Sequence, residues 1–306
     1  MQKDNIQTIK IQRIAQSHQA LGSGKPKHPL FSILRFEDLK QVANESRVRL
    51  IFDFYQIVLK KDCPGKLQYG QTLFDFDEGV MSFFAPKQVS ILEKSDEILA
   101  KSGWVLNIHP DFLRTFSLGQ KIKEYGFFEY AVNEALLLSE EEEKSIEFIF
   151  QQIEKEYHLP IDIFSQDVVI SNIELLLTYC NRYYNRQFIV RKPKSSELLT
   201  KMEMILNEHF NTDSVVKCLP TANSVASQLN FSTKYLSDCL KQLTGQTTQQ
   251  IIQEKLIGHA KEILTYSELS VSEIAYQLGF EHSQSFSKLF KNKTNQSPSE
   301  FRNSFN

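Results

Sequence analysis

The chain has 306 residues, enough for two domains of ordinary size. Its 41% hydrophobic and 24% charged residues match an average soluble protein, which excludes a disordered, collagen-like or disulfide-scaffold chain. A formal net charge of -2 excludes a histone-like basic binder. It does not exclude DNA binding, because a local basic face suffices for that.

The four cysteines, Cys63, Cys180, Cys218 and Cys239, form no C-x-x-C pair and no zinc spacing. They read as reduced thiols of a cytoplasmic protein. The polar N-terminus has no apolar h-region, so no signal peptide is expected. No apolar run reaches the ~18 residues of a membrane span.

The N-terminal half reads as strands. Residues 47–59 are β-branched, aromatic and partly alternating, and a Pro64-Gly65 turn follows. Residues 71–77 alternate and end at Glu78-Gly79. Residues 80–85 run to Pro86, and 104–109 run to Pro110. Short strands between turn residues predict a sandwich or small barrel. The aromatics Phe52, Phe54, Tyr55, Tyr69, Phe74, Phe76, Phe83 and Phe84 suit either a ligand pocket or a barrel core.

The pattern then becomes helical. Ser139 with Glu142 has the form of a capping box, and the run of four glutamates opposes the positive end of a helix. That helix, to Tyr157, carries Ile146, Ile149, Phe150 and Ile153 at spacings of three and four. A second helix, 165–185, carries Val169, Ile173, Leu176, Leu177, Cys180 and Tyr184. These stripes exceed what one side of a barrel would bury, which predicts a homodimer held by both helices. Arg182, Arg186, Arg191, Lys192 and Lys194 then mark a linker, either solvated or near phosphate. Pro193 is expected to stop helix there and Ser195-Ser196 to restart it.

From Glu197 onward short helices are predicted at 197–210, 223–229, 232–244, 249–266, 271–278, 283–292 and 297–305. This part repeats. Val225, Ala226, Leu229 and Phe231 pair with Ile274, Ala275, Leu278 and Phe280 at an offset of 49. After one inserted residue, Leu236, Leu240, Lys241 and Thr244 pair with Phe286, Phe290, Lys291 and Thr294. Each copy has the chemistry of a helix-turn-helix. A small alanine admits a close second helix, and Asn230 or Gly279 suits a left-handed turn. Phe231 and Phe280 plug the corner, and Ser232 and Ser283 are candidate caps. The second helix turns Leu236 and Leu240, or Phe286 and Phe290, inward and leaves its polar face for a major groove.

Residues 274–291, then Ser297-Pro298 and Phe301-Arg302, follow the pattern I-A-x-x-x-G-F-x-x-x-S-x-F-x-x-x-F-K…P-x-x-[FY]-R. The chain therefore resembles the AraC/XylS family of bacterial transcriptional regulators. The first copy matches through residues 235–245 and 260–264. The resemblance is specific in the C-terminal third and fits the N-terminal half in outline only. It implies an α+β chain: a cupin-like β-barrel sensory domain at 1–160, a dimerisation helix and linker at 161–196, and a DNA-binding domain with two helix-turn-helix motifs at 197–306. It further implies a cytoplasmic homodimer acting on double-stranded DNA with RNA polymerase, as an activator or a repressor, responsive to a small-molecule effector or a partner. Residues 197–306 alone are expected to bind DNA, in successive major grooves about 34 Å apart.

Carried over residue by residue, the DNA-facing set is Lys234, Tyr235, Ser237 and Asp238 in copy one, and His282, Ser283, Gln284, Ser287, Lys288 and Lys291 in copy two. Gln284 is the candidate reader of adenine, since an amide pairs bidentately with that base. Two departures stand out. Many members have arginine where this chain has Asp238; an acid accepts from cytosine N4 but repels phosphate. Copy two has Thr294-Asn295 where copy one has Thr244-Gly245.

Competing chemistry finds little support. Gly22-Ser-Gly-Lys25 fails as a phosphate loop because Pro26 replaces the needed Ser or Thr. His18, His28, His109, His158, His209, His259 and His282 are scattered, with no H-x-H pair for a metal cupin, and no Ser/His/Asp or Cys/His set is recognisable. An enzyme using the barrel is the alternative class, as is an effector-independent dimeric regulator. The expectation is a non-enzyme without cofactor or metal.

Overall fold

The computed structural model describes residues 7–39, 47–61, 66–69, 72–75, 79–93, 102–131, 134–190, 192–211 and 218–304. Cys63, the Pro64-Gly65 turn, Phe76, Arg191 and Phe305 lie outside them. The chain divides into two compact units, 1–187 and 188–306.

Among the described residues the first unit carries ten strands: β1 (Gln7–Ile11), β2 (Phe31–Arg35), β3 (Arg47–Phe52), β4 (Tyr55–Lys61), β5 (Lys66–Tyr69), β6 (Thr72–Asp75), β7 (Val80–Phe84), β8 (Val89–Glu93), β9 (Ser102–Ile108) and β10 (Leu136–Leu137). A short helix α1 (Ile14–Ala20) follows β1, and one turn of helix, α2 (Leu118–Lys121), follows β9. The strands form a three-stranded sheet in the order β1-β3-β8, a five-stranded sheet β10-β7-β4-β9-β2, and the hairpin β5-β6. Among the described residues no sheet closes into a barrel, which corrects that expectation; β10 and β2 remain edges.

The run 47–59 is not one strand. It leaves the small sheet at Phe52 and enters the large one at Tyr55. The Asp53 N–H donates to Ile11 O (3.1 Å), and Phe54 is fully buried with Phe52, Ile11 and Ile14. At Gly103 the strand meets β4 so closely that a Cβ would lie 2.0 Å from Leu59 O, and φ is +128°. Glycine is required there.

Helix α3 (Glu140–His158) starts at the expected Ser139–Glu142 capping box, and α4 (Ser165–Val190) follows. Antiparallel partners share a sheet face. Trp104, Leu59 and Arg35 are such partners and face α3: Trp104 stacks on Phe150 (5.7 Å), while Arg35 donates to both carboxylate oxygens of Glu154 (2.6 Å each). Burial opposes ionisation of Glu154, but the hydrogen bonds from Arg35 and Trp104 outweigh it and hold its carboxyl below the usual range. Cys180 of α4 packs on Met81, and burial raises its thiol pKa, as fits an inert core cysteine. The opposite sheet face carries a buried polar row. Gln56 Nε2 donates to Asn107 Oδ1 (2.8 Å) and Asn107 Nδ2 to Ser32 Oγ (3.1 Å).

Two expectations about the helices change. The apolar stripes of α3 and α4 are buried within the unit, so they do not form a spare surface. The exposed apolar side chains in this region are instead Phe148 on α3, Leu159, Ile161, Ile163 and Phe164 between the helices, and Val168, Leu175 and Ile189 on α4. Pro193 does not stop a helix either. It lies in the first turn of α5 (Lys192–Asn211), where a missing N–H costs nothing. Arg186 is no phosphate candidate, since its Nε donates to Glu142 (3.0 Å) and its Nη2 to Leu137 O (2.8 Å). The loop at 22–25 folds back on α1: His18 Nδ1 lies 2.7 Å from Gly24 O and Ser23 Oγ donates to His18 O (3.1 Å).

Candidate nucleic-acid interface

The second unit is helical. After α5 come α6 (Ala222–Gln228), α7 (Thr233–Thr244), α8 (Thr248–Tyr266), α9 (Val271–Gln277), α10 (Ser283–Thr294) and α11 (Pro298–Asn303). Helices α6–α7 and α9–α10 are the two copies of the repeat, and α8 packs against members of both. Its buried residues are Thr248, Ile252, Leu256, Ile257, Ala260 and Leu264.

The copies are built alike. In copy one Thr221 and Ser224 make a capping box for α6; in copy two Ser270 and Glu273 make one for α9. Ala226 and Ala275 are buried at the crossing. Asn230 (φ 58°) and Gly279 (φ 91°) make the left-handed turn. Phe231 N–H then donates to Ala226 O, and Phe280 N–H to Ala275 O, both at 2.9 Å. Leu236, Leu240, Phe286 and Phe290 are fully buried. The C-caps are left-handed too, Gly245 (φ 77°) and Asn295 (φ 62°), so asparagine serves where glycine was expected.

The caps of α7 and α10 differ. Ser232 caps α7, accepting from Tyr235 N–H (3.2 Å). Ser283 is not a cap: it is the first helical residue of α10, whose N-cap is His282 with no side-chain bond. The C-terminal part of the sequence pattern is structural. Phe301 packs edge-on to Phe290 (5.5 Å), and Arg302 donates to Leu264 O (3.3 Å) and Leu269 O (2.6 Å), satisfying carbonyls near the end of α8.

Side chains at i, i+4 and i+7 share one face of a helix. Opposite the buried face of α10 lie Gln284, Lys288 and Lys291, all exposed. The equivalent stripe on α7 is Lys234, Asp238 and Lys241. Lys241 was not among the sequence candidates; its alignment with Lys291 in the repeat was the available signal. Lys234 Nζ donates to Asp238 Oδ1 (3.2 Å), so the acid on this stripe is paired. Helix α10 holds Lys288, Lys291 and Lys293 and no acid, making it the more cationic of the two.

The remaining candidates separate by burial. Tyr235 is a correction. It is 5% exposed, stacked on Phe231 (5.3 Å) and edge-on to Phe188 (5.2 Å), so its ring belongs to the core. Ser237 is half-buried on the flank of the α7 stripe. In copy two His282 is exposed, Ser283 is half-buried, and half-buried Ser287 donates its hydroxyl to Ser283 O (3.0 Å). Cys239 faces inward, and burial, with Asp238 beside it, pushes its thiol up to about 12. Among the described residues no three His, Cys, Asp or Glu side chains converge on a metal site, and no helix is long and apolar enough to cross a membrane.

Comparison with known proteins agrees with this geometry. A family model described as a helix-turn-helix domain matches residues 225–304, which span both copies. The HTH-type transcriptional activator RhaS of Escherichia coli is 28% identical over 255 residues, covering 82% of this chain and 85% of the relative. Among solved structures, the C-terminal domain of AraT, a response regulator from Geobacillus stearothermophilus, is 29% identical over 35% of this chain and 84% of that one, with a TM-score of 0.30. The DNA-binding domain of AdpA, solved with a target DNA, is 20% identical over 35% and 91%, also at 0.30. ToxT from Vibrio cholerae is 14% identical over 89% and 98%, at 0.29. With both helix-turn-helix copies formed and activator relatives similar over most of its length, the chain resembles AraC-type regulators and is a DNA-binding transcription factor.

Proposed function

We propose that the chain is an effector-responsive activator whose second unit reads an operator through α7 and α10. The observation that carries this reading is the pair of polar stripes, Lys234/Asp238/Lys241 and Gln284/Lys288/Lys291, each opposite a buried apolar face. A recognition helix needs such a face to enter a major groove. Lys234, Ser237, Asp238, Lys241, His282, Gln284, Lys288 and Lys291 are its proposed DNA-contacting residues. Activation, with RNA polymerase as partner, is supported by the RhaS relatives, which are activators.

The first unit is the proposed sensory part. The Gln56–Asn107–Ser32 row on the face turned away from α3 is buried and hydrogen-bonded within itself, so the cupin-like role proposed for these sheets rests on the family resemblance. The aromatics fit the core better: Phe52, Phe54, Tyr55 and Phe83 are buried and pack against one another or edge-on to Phe128.

Gel-shift titration of the full chain and of residues 188–306 against random duplex DNA tests the DNA reading. The fragment begins at Phe188 because that ring packs on Tyr235. Both proteins are expected to bind at low salt, with affinity falling steeply as salt rises. No binding by either one at low salt overturns the reading.

Homodimerisation is the proposed role of the exposed apolar segment at 161–175. A two-fold dimer doubles the number of contacted grooves. Light scattering is expected to give a dimer at micromolar concentration for the native chain and a monomer for Ile163→Asp with Phe164→Asp. A native monomer, with and without DNA, sinks this assignment.

A further inference from the structure

We propose that Asp238 is the base-discriminating residue of the first recognition helix, that it accepts the N4 amino group of a cytosine in the major groove, and that Lys234 holds it until DNA arrives. The proposal rests on the DNA-reading role given above to α7.

The argument begins with an oddity of charge. On α10 the outward stripe is Gln284, Lys288 and Lys291, with nothing to repel phosphate. On α7 the middle position of the equivalent stripe, where α10 has Lys288, is occupied by an acid. A carboxylate at the centre of a DNA-facing stripe costs affinity for every sequence unless a donor meets it. The major-groove edges narrow the choice of donor. Guanine offers two acceptors there, and thymine an acceptor and a methyl group. Adenine offers an amino group beside the N7 acceptor, which repels a carboxylate. Cytosine offers the N4 amino group as a donor, and an acid accepts from it.

Lys234 completes the device. Its Nζ lies 3.2 Å from Asp238 Oδ1, with the side chains 39% and 28% exposed. A partly exposed i,i+4 pair of this kind is weak and readily exchanged. In the free protein it masks the carboxylate from approaching phosphates. On a cognate site Asp238 passes to cytosine and Lys234 to a backbone phosphate. On a site without cytosine the pair stays closed, and α7 contributes only Lys241. The two copies thus divide the work: α10 supplies most of the charge and reads through Gln284, while α7 discriminates through Asp238. The operator should carry a C·G pair in the groove read by α7.

The test is selection from random duplexes by the full chain, comparing the native protein with Asp238→Asn, Asp238→Ala and Lys234→Gln. Asp238 and Lys234 are half-buried on the outward stripe of α7, opposite its buried face, so these changes leave the core residues of the helix in place. The native pool should fix cytosine at one position, preferred by about 5- to 150-fold. Asp238→Asn should exchange that cytosine for adenine, since an amide pairs with adenine N6 and N7. Asp238→Ala should lose the preference there and keep it elsewhere, and Lys234→Gln should retain the cytosine. If both Asp238 variants keep the native pool, the inference is overturned. It is equally overturned if both bind all sequences more tightly by one factor, because Asp238 is then only a repelling charge. A native pool with no enriched sequence overturns the DNA-reading role itself.

Discussion

Phe286→Ala is expected to lower the stability of the C-terminal unit by about 3–5 kcal/mol, the usual range for truncating a buried phenylalanine. Phe286 is fully buried, with Phe280 at 5.5 Å and Phe290 at 5.7 Å, and Phe290 continues the chain of rings to Phe301 at 5.5 Å. One ring therefore joins the corner after α9, the inward face of α10 and, through Phe290, α11. An alanine leaves a cavity that this arrangement cannot close without moving α10 itself. A domain of this size has only about 5–15 kcal/mol of stability in total, so the loss is a large fraction of it. Denaturant melts of residues 188–306 should show the midpoint fall, and operator binding should be lost as α10 leaves its place. Gln284→Ala, an exposed change on the same helix, should leave the melt where it was. A Phe286→Ala midpoint within error of the native one would show that this ring packing contributes little.

The helical half of the chain was legible in the sequence because its boundaries are written in side chains. Ser139 with Glu142, Ser232, Asn230 and Gly279 each do locally what their chemistry suggests: two cap a helix through side-chain oxygens, and two take left-handed backbone. What could not be read was long-range. Residues 47–59 look like one strand because the β-branched and aromatic pattern runs straight through Asp53 and Phe54. Only the partner strands, β1 on one side and β9 on the other, cut it in two.

Pro193 is ambiguous in the sequence for a related reason. A proline that ends one helix and a proline in the first turn of the next look the same in sequence, and the structure begins α5 one residue before it. Tyr235 fails differently. It lies next to Lys234, about 100° round the helix, and its ring finds Phe188, far away in sequence. The apolar stripes of α3 and α4 are plain in the sequence, but they are buried. The exposed apolar segment around Ile163, proposed above for dimerisation, has no periodicity to betray it.

Gln284→Ala and Lys288→Ala should weaken operator binding in ways that differ in kind. The two side chains are one helical turn apart on the same exposed stripe of α10, so both can face one groove. An amide offers a donor and an acceptor that match adenine N6 and N7 together, and a good bidentate pair is worth about 1–3 kcal/mol of discrimination. Gln284→Ala should therefore cost about that much on the operator and almost nothing on operators already changed at that base. An ammonium is a point charge with three donors and no acceptor. Lys288→Ala should weaken every sequence alike and make the dependence of log K on log salt shallower by about one unit, the share of one phosphate contact. Lys291, nearly a turn further along, should reach only flanking phosphate and change the salt slope by less. Titrations of each variant against a panel of single-base operator changes, at several salt concentrations, separate these outcomes. If Gln284→Ala lowers affinity equally across the panel, the amide contacts backbone and adenine is read by another residue. If Lys288→Ala leaves the salt slope unchanged, that ammonium meets no phosphate and the cationic stripe of α10 is not the anchoring surface.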